Sequence, residues 1–233
     1  MFRDGSFLMI VLGLDASGER CSVGLRCGGA TVARRSRILR YGHAEALVPM
    51  IVEVLAEGAV DFAAVDVWAV TVGPGAFTGL RVGLATARGL ALATGRPIFG
   101  VTTFEAVAAA RAEDVEPRAS SSRALLVAIE SRREDVFLQR FSIDGTPETL
   151  PTALPPAEVV SLLPLGEVWI AGDGAARLRP ILADRVGVHF CEGDQSIDAE
   201  VVARIGAERL LSTGAPPVPL YLRPPDVCLP GRK

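Results

Sequence analysis

The sequence predicts an α/β protein built as two tandem lobes, and three observations carry that expectation. Two separate segments, Met9–Asp15 and Ala124–Glu130, are apolar runs of strand length that end in an acid. Each is followed by a turn, an alternating strand, and then a succession of helices and strands. Between the two halves lies a polar stretch, residues 113–123, with Pro117 and a run of serines. A chain of 233 residues has room for two lobes of roughly 100 residues each.

The elements follow in order. After the strand Met9–Asp15, Ser17-Gly18-Glu19 reads as a turn. Cys21–Cys27 alternates at period two, Gly28-Gly29 turns again, and Ala30–Ser36 is a third strand, which makes an antiparallel meander. A helix over Ala44–Glu57 repeats Leu47, Met50, Ile51, Val54 and Leu55 at helical spacing. Pro49 lies inside it, so a late start or a kink near Glu45 is expected. Val65–Val72 is a buried strand broken by Gly73-Pro74-Gly75. A long helix over Thr78–Thr94 follows, closed by Gly95, then a strand over Ile98–Val101 and a helix over Thr103–Arg111 capped by Thr102 or Thr103.

The second half reads as a shorter version of the first. Ala124–Glu130 and Glu134–Ser142 form a hairpin, Ala157–Leu163 a short helix, and Val168–Ala171 a strand entering Gly172-Asp173-Gly174. A helix to about Ala183, a strand Val186–Phe190 and a helix Asp198–Leu211, capped by Ser196 or Asp198, complete it. The expected organisation is a loose extension over residues 1–8, a first lobe over 9–112, a loop over 113–123, a second lobe over 124–215, and an extended Pro-rich tail over 216–233. A meander followed by alternating helix and strand is the ribonuclease-H-like order. Two in tandem match the actin-like ATPase architecture, which binds ATP between its lobes; the match speaks for fold, not function.

Composition excludes several chemistries. The net charge is −3, without the basic excess of a protein that grips nucleic acid alone. The densest basic stretch, Arg34, Arg35, Arg37 and Arg40, reads either as a solvated strand and loop or as a nucleic-acid-facing patch within a complex. Lys233 is the only lysine, which removes a P-loop and a Schiff-base enzyme. Cys21, Cys27, Cys191 and Cys228 form no C-x-x-C pair, so buried free thiols and a reducing, cytoplasmic setting are expected, with no metal site. His43 and His189 stand far apart and cannot supply two histidines on one helical turn. The apolar run Phe7–Leu14 is short, follows Asp4 and ends in Asp15 with no small-residue cleavage site, so it does not read as a signal peptide, and no stretch reaches membrane-span length.

A nucleotide site, if built on this plan, falls on Asp15 and Ser17 in the first hairpin, Glu130 in the second, and Gly172, Asp173 and Gly174 at a helix start. The second hairpin, Ile129-Glu130-Ser131-Arg132-Arg133-Glu134, has no glycine to let backbone approach a phosphate. Asp173 repels an anion. The site reads as degenerate: no cofactor is expected, with room left for weak ATP or ADP binding. Gly79, Gly83, Ala87 and Ala91 recur at four-residue spacing along the long helix, either to pack the core or to admit a partner helix closely.

Two stretches are specific beyond these patterns: His43-Ala44-Glu45-Ala46-Leu47-Val48-Pro49-Met50 and Gly73-Pro74-Gly75-Ala76-Phe77-Thr78-Gly79-Leu80-Arg81-Val82-Gly83. With Leu14-Asp15-Ala16-Ser17, Cys21-Ser22-Val23-Gly24-Leu25 and Tyr221-Leu222-Arg223, they make the chain resemble the TsaB (YeaZ) family from about Met9 to Arg223. The resemblance implies a non-catalytic scaffold, a heterodimer with the catalytic paralogue TsaD, and cooperation with the ATPase TsaE. The product it implies is N6-threonylcarbamoyladenosine in tRNAs reading codons that begin with A. Contact with tRNA through the complex is expected, homodimerisation through the same surface when the partner is absent is a related hypothesis, and no membrane contact is expected. In the family the two first-lobe helices form the partner interface, which carries over to Leu47, Met50, Ile51, Val54, Gly79, Arg81, Gly83, Leu84, Ala87 and Arg88. A charge at Met50 or Leu84 is then expected to weaken partner binding without unfolding the chain. Glu130 stands where the family has Asp, and the sequence after Arg223 departs from the family's aromatic and basic ending.

Overall fold

The computed structural model describes residues 8–112, 123–211 and 216–223. Residues 1–7 of the expected extension, most of the expected loop over 113–123 and residues 224–233 of the expected tail lie outside them. The first meander forms as the alternation dictates: β1 (Ile10–Asp15), β2 (Arg20–Cys27) and β3 (Ala30–Ile38) pair antiparallel. After α1 (His43–Glu57), β4 (Val67–Gly73) adds parallel to β1. After α2 (Phe77–Thr94), β5 (Ile98–Thr102) adds parallel to β4, and α3 (Thr103–Arg111) follows. The second half repeats the plan with β6 (Arg123–Glu130), β7 (Val136–Ser142), β8 (Thr152–Leu154), β9 (Glu167–Ala171), α4 (Ala175–Leu182), β10 (Val188–Phe190) and α5 (Ala199–Glu208). The strand orders are β3-β2-β1-β4-β5 and, read from the matching edge, β8-β7-β6-β9-β10. This is the actin-like two-lobe fold.

Strand alternation sorts the core into three layers. Leu12, Leu14, Trp68 and Val70 point to one face of the first sheet and pack under α1 and α2 with Leu47, Met50 and Val54. Val11, Val67 and Ala69 point to the other face, into a central core shared with Leu125, Val127 and Ile129 of the second sheet. Leu126, Leu138 and Ile170 pack outward against α4 and a 3₁₀ run over Pro156–Leu162. Two helices fill the central layer, each on the sheet of the other half. α3 packs on β6, β7 and β9, and α5 packs on β1, β2 and β4. Glycine makes the second contact: a Cβ on Gly13 would lie 2.1 Å from Ala199 O, and one on Gly24 2.5 Å from Glu200 N.

Helix ends follow capping chemistry. Thr102 and Glu105 form a reciprocal capping box at α3, and the Asp198 side chain accepts from Glu200 N at α5. Other elements depart from the expectation. α1 runs through Pro49 from His43 rather than starting late; Pro49 and Glu45 are both exposed, so the carbonyl that loses its partner faces water. The expected helix Ala157–Leu163 is 3₁₀, β7 begins at Val136, and the short edge strand β8 carried no periodic signal. Cys21 and Cys191 are buried, Cys27 is half-buried, and Cys228 lies outside the described residues. Burial, reinforced by the nearby Asp15 charge, pushes the Cys21 pKa up to about 11, so this thiol stays protonated and unreactive. Among the described residues no helix is long and apolar enough to cross a membrane.

Candidate functional site

The two acid-ended strands bring the candidate site together at the mouth between the lobes. β1 delivers Asp15, which is 2 % exposed. Its Oδ1 accepts from Ser17 N (3.1 Å), Ser17 Oγ (2.7 Å) and Thr71 Oγ1 (2.7 Å). Burial pushes the Asp15 pKa above its usual 3.8, and these hydrogen bonds only partly offset the desolvation. The start of α2 is pressed onto the same turn: Ala76 N donates to Ser17 O at 2.6 Å. A Cβ on Gly75 would lie 2.3 Å from Ser17 O, and one on Gly79 2.0 Å from Ala16 O. The glycines of the specific motif therefore dock α2 on the first hairpin.

The second hairpin is filled by its own lobe. Glu130 Oε1 accepts from Arg132 N (2.6 Å) and from Arg177 Nη1 (3.1 Å). The Arg177 guanidinium, reaching from α4, also donates to the carbonyls of Arg133 (2.7 Å), Glu134 (2.8 Å) and Asp135 (2.7 Å). Arg132 takes a left-handed backbone, φ +58°, where a phosphate-wrapping turn would use glycine. Gly172, at φ +98°, backs onto β6, since a Cβ there would lie 2.1 Å from Ala128 O. Gly174 N donates to Ala128 O at 3.0 Å, and Asp173 Oδ1 accepts from Glu130 N at 2.9 Å. Packing around the Asp173 carboxyl pushes its pKa up, the Glu130 charge adding to the effect, although outer atoms of the residue meet solvent.

Asp15, Ser17, Glu130 and Asp173 thus line one cleft of about 410 Å³, while Gly172 and Gly174 support it from behind. An ion pair spans its mouth, Arg132 Nη2 to Glu19 Oε1 at 2.9 Å, joining the two hairpins. Arg20, also on the cleft wall, is held by Ser36, Ser196 and Asp194. An incoming phosphate meets acids whose nearest arginines are already engaged. Among the described residues no three His, Cys, Asp or Glu side chains are grouped to hold a metal ion. His43 opens α1, and its Nε2 lies 3.0 Å from Gly18 O.

The residues expected at a partner interface need correction. Leu47, Met50, Ile51, Val54, Leu84 and Ala87 are core residues under the first sheet's helices, and Gly79 and Gly83 are buried against the Ala16 turn. A side chain already packed on β-strands has no surface left for a partner. The four-residue glycine and alanine stripe is core packing for the same reason. Arg81 and Arg88 are exposed but turn to the chain's own C-terminal segment. Arg81 Nε donates to Tyr221 Oη at 3.1 Å and its guanidinium stacks 3.7 Å over Phe77; Arg88 Nη2 donates to Pro217 O at 2.6 Å. That segment continues with Leu220 N to Val72 O (2.7 Å) and ends with Arg223 on Asp135 Oδ2 (2.6 Å). The basic strand is paired too: Arg34 with Asp198, Arg35 with Glu53 and Glu57, Arg37 with Glu53. What sequence periodicity missed is the outward side of the same helices, Ala44, Val48, Val52 and Ala56 on α1 and Ala85, Gly89 and Leu92 on α2.

The fold and cleft define an actin-like protein whose two cleft hairpins turn donors to its own acceptors. The family model for TsaD, tRNA N6-adenosine threonylcarbamoyltransferase, matches residues 37–159. An uncharacterised protein of Mycobacterium tuberculosis is 30 % identical over 218 residues, 93 % of this chain and 92 % of that protein. The tRNA threonylcarbamoyladenosine biosynthesis protein TsaB of Escherichia coli is 30 % identical over 136 residues, 58 % of this chain; the chain spans 56 % of that relative's length. The solved structure of YeaZ from Pseudomonas aeruginosa superposes with a TM-score of 0.73 at 26 % identity, covering 87 % of this chain and 92 % of that one. The chain belongs to the threonylcarbamoyltransferase-related family, on its TsaB (YeaZ) branch.

Proposed function

We propose that this chain is a non-catalytic subunit of tRNA threonylcarbamoyladenosine biosynthesis, serving as a scaffold for a TsaD-type transferase. The observation that carries the reading is the state of the two hairpins. Ser17 N and Oγ donate to Asp15 in the first, and Arg132 N donates to Glu130 and Arg133 N to Ser131 in the second, so donors that would cradle phosphates in an actin-like ATPase are spent on the protein itself. In this reading chemistry belongs to the partner and this chain supplies a surface. The surface is the outward side of α1 and α2. Val48 and Val52 are 49 % and 61 % exposed, Leu92 is 85 % exposed, and small residues beside them let a second helix approach. Cooperation with TsaE, contact with tRNAs reading A-initial codons through the complex, a cytoplasmic setting, and a homodimer through the same face when the partner is absent complete the proposal.

Reconstitution tests it. Purified TsaD and TsaE from the same organism, given tRNA, ATP and the threonylcarbamoyl donor, are expected to form modified adenosine only when this chain is added. Full modification without it, or ATP turnover by this chain alone, would refute the scaffold reading and return it to the nucleotide-hydrolysing class.

A further inference from the structure

The cleft between the lobes has hydrogen-bonding capacity that its own residues leave unused, and that capacity has one sign. Apart from Thr103, each donor side chain on its wall is already bonded within the protein: Ser17 to Asp15, Arg20 to Asp194, Arg132 to Glu19, Gln195 to backbone carbonyls, and Ser196 to Asp194. The acceptors are in excess. All three donors to Asp15 fall on Oδ1, leaving Oδ2 without one, and no arginine pairs with Asp15 or Asp173 among the described residues. Thr103 is an independent sign. It is 4 % exposed, it lines the same cleft, and its hydroxyl has no partner. A buried polar group left unpaired costs free energy that a ligand bond would recover. Ile38, Val107, Ile129 and Ile197 give the remaining wall a hydrocarbon character.

Donor-rich, positively charged and partly apolar describes one ligand class. We propose that the cleft binds a small aliphatic amine as its ammonium cation, with Asp15 and Asp173 supplying the charge and Thr103 a further hydrogen bond. The site stands independently of the scaffold reading. Among the described residues a divalent metal lacks the grouped ligands it requires, and a phosphate would face the carboxylates of Asp15, Glu19, Glu130, Asp173 and Asp194, whereas an ammonium brings donors of its own.

Titration calorimetry on the full chain with putrescine and spermidine is expected to show saturable one-site binding that ATP with magnesium does not displace. Asp173→Asn removes charge at a partly open position and is expected to weaken binding about tenfold. Thr103→Val keeps shape and is expected to weaken it about threefold, with circular dichroism showing an intact fold for both. Absence of saturable amine binding, binding unchanged in both variants, or displacement by ATP would each overturn the proposal.

Discussion

Gly79 and Gly89 lie on the same helix and carry opposite expectations. A methyl on Gly79 enters the Ala16 carbonyl at 2.0 Å, whereas one on Gly89 meets nothing within 4 Å. Gly79→Ala should destabilise the fold by about 1–3 kcal/mol or more through forced backbone shifts, and Gly89→Ala should stabilise it by about 0.5–1 kcal/mol through unfolded-chain entropy. Urea denaturation of the two variants reads this directly, and equal effects would refute the docking role given to Gly79. Asp15 carries a pH consequence. Its pKa is raised above 3.8 in the folded chain, so folding favours the protonated form and a stability cost grows as pH rises past that value. Asp15→Asn removes the titration. Its stability relative to the parent should increase between about pH 4 and pH 8, as thermal melts at both ends would show; a decrease would contradict the burial argument. Asp15 was legible in the sequence as an acid ending a buried strand. Arg177 was not, because an arginine on a short helix has no local pattern announcing that it fills a hairpin far away in the chain.

The helix α1 shows what periodicity can and cannot tell. Its apolar repeat located Leu47, Met50, Ile51 and Val54 correctly as one face, and the structure assigns that face to the core. The expectation that Met50→Asp would spare the fold is therefore withdrawn. Met50 is fully buried, so the substitution should lower stability by about 4 kcal/mol or more. Val52→Asp, on the opposite side, should leave the melting temperature within a few degrees of the parent's. Chemical denaturation of the pair distinguishes the two faces. The outward side was hard to read because Ala44, Val48, Val52 and Ala56 make a weaker apolar signal than the core stripe that shares their helix. The three-residue strand β8 was missed for a related reason: too few residues alternate to define a period.

At the scale of the whole molecule, the duplicated strand order was legible because each half repeats the same succession of elements. The exchange of α3 and α5 between sheets was not, since it depends on glycine gaps in β1 and β2 that only fit against a distant helix. The C-terminal segment adds a further long-range tie. Leu220 and Leu222 pack on the central core, the Tyr221 ring lies tilted against Phe77, and Arg223 reaches Asp135 in the second lobe. Truncation before Pro216 should cost about 2–4 kcal/mol by uncovering that core, read as a lowered denaturation midpoint with unchanged secondary structure; an unchanged midpoint would refute the role.

The central claim is that the outward side of α1 and α2 is where this chain meets its transferase. Size-exclusion chromatography with light scattering, on mixtures of the chain and its organism's TsaD, tests it most directly when the parent and Val52→Asp are run side by side. The parent is expected to run at a heterodimer mass and the variant as two separate components, with both chains folded. A heterodimer that forms equally well with Val52→Asp, or no complex with the parent even when TsaE and ATP are present, would contradict it.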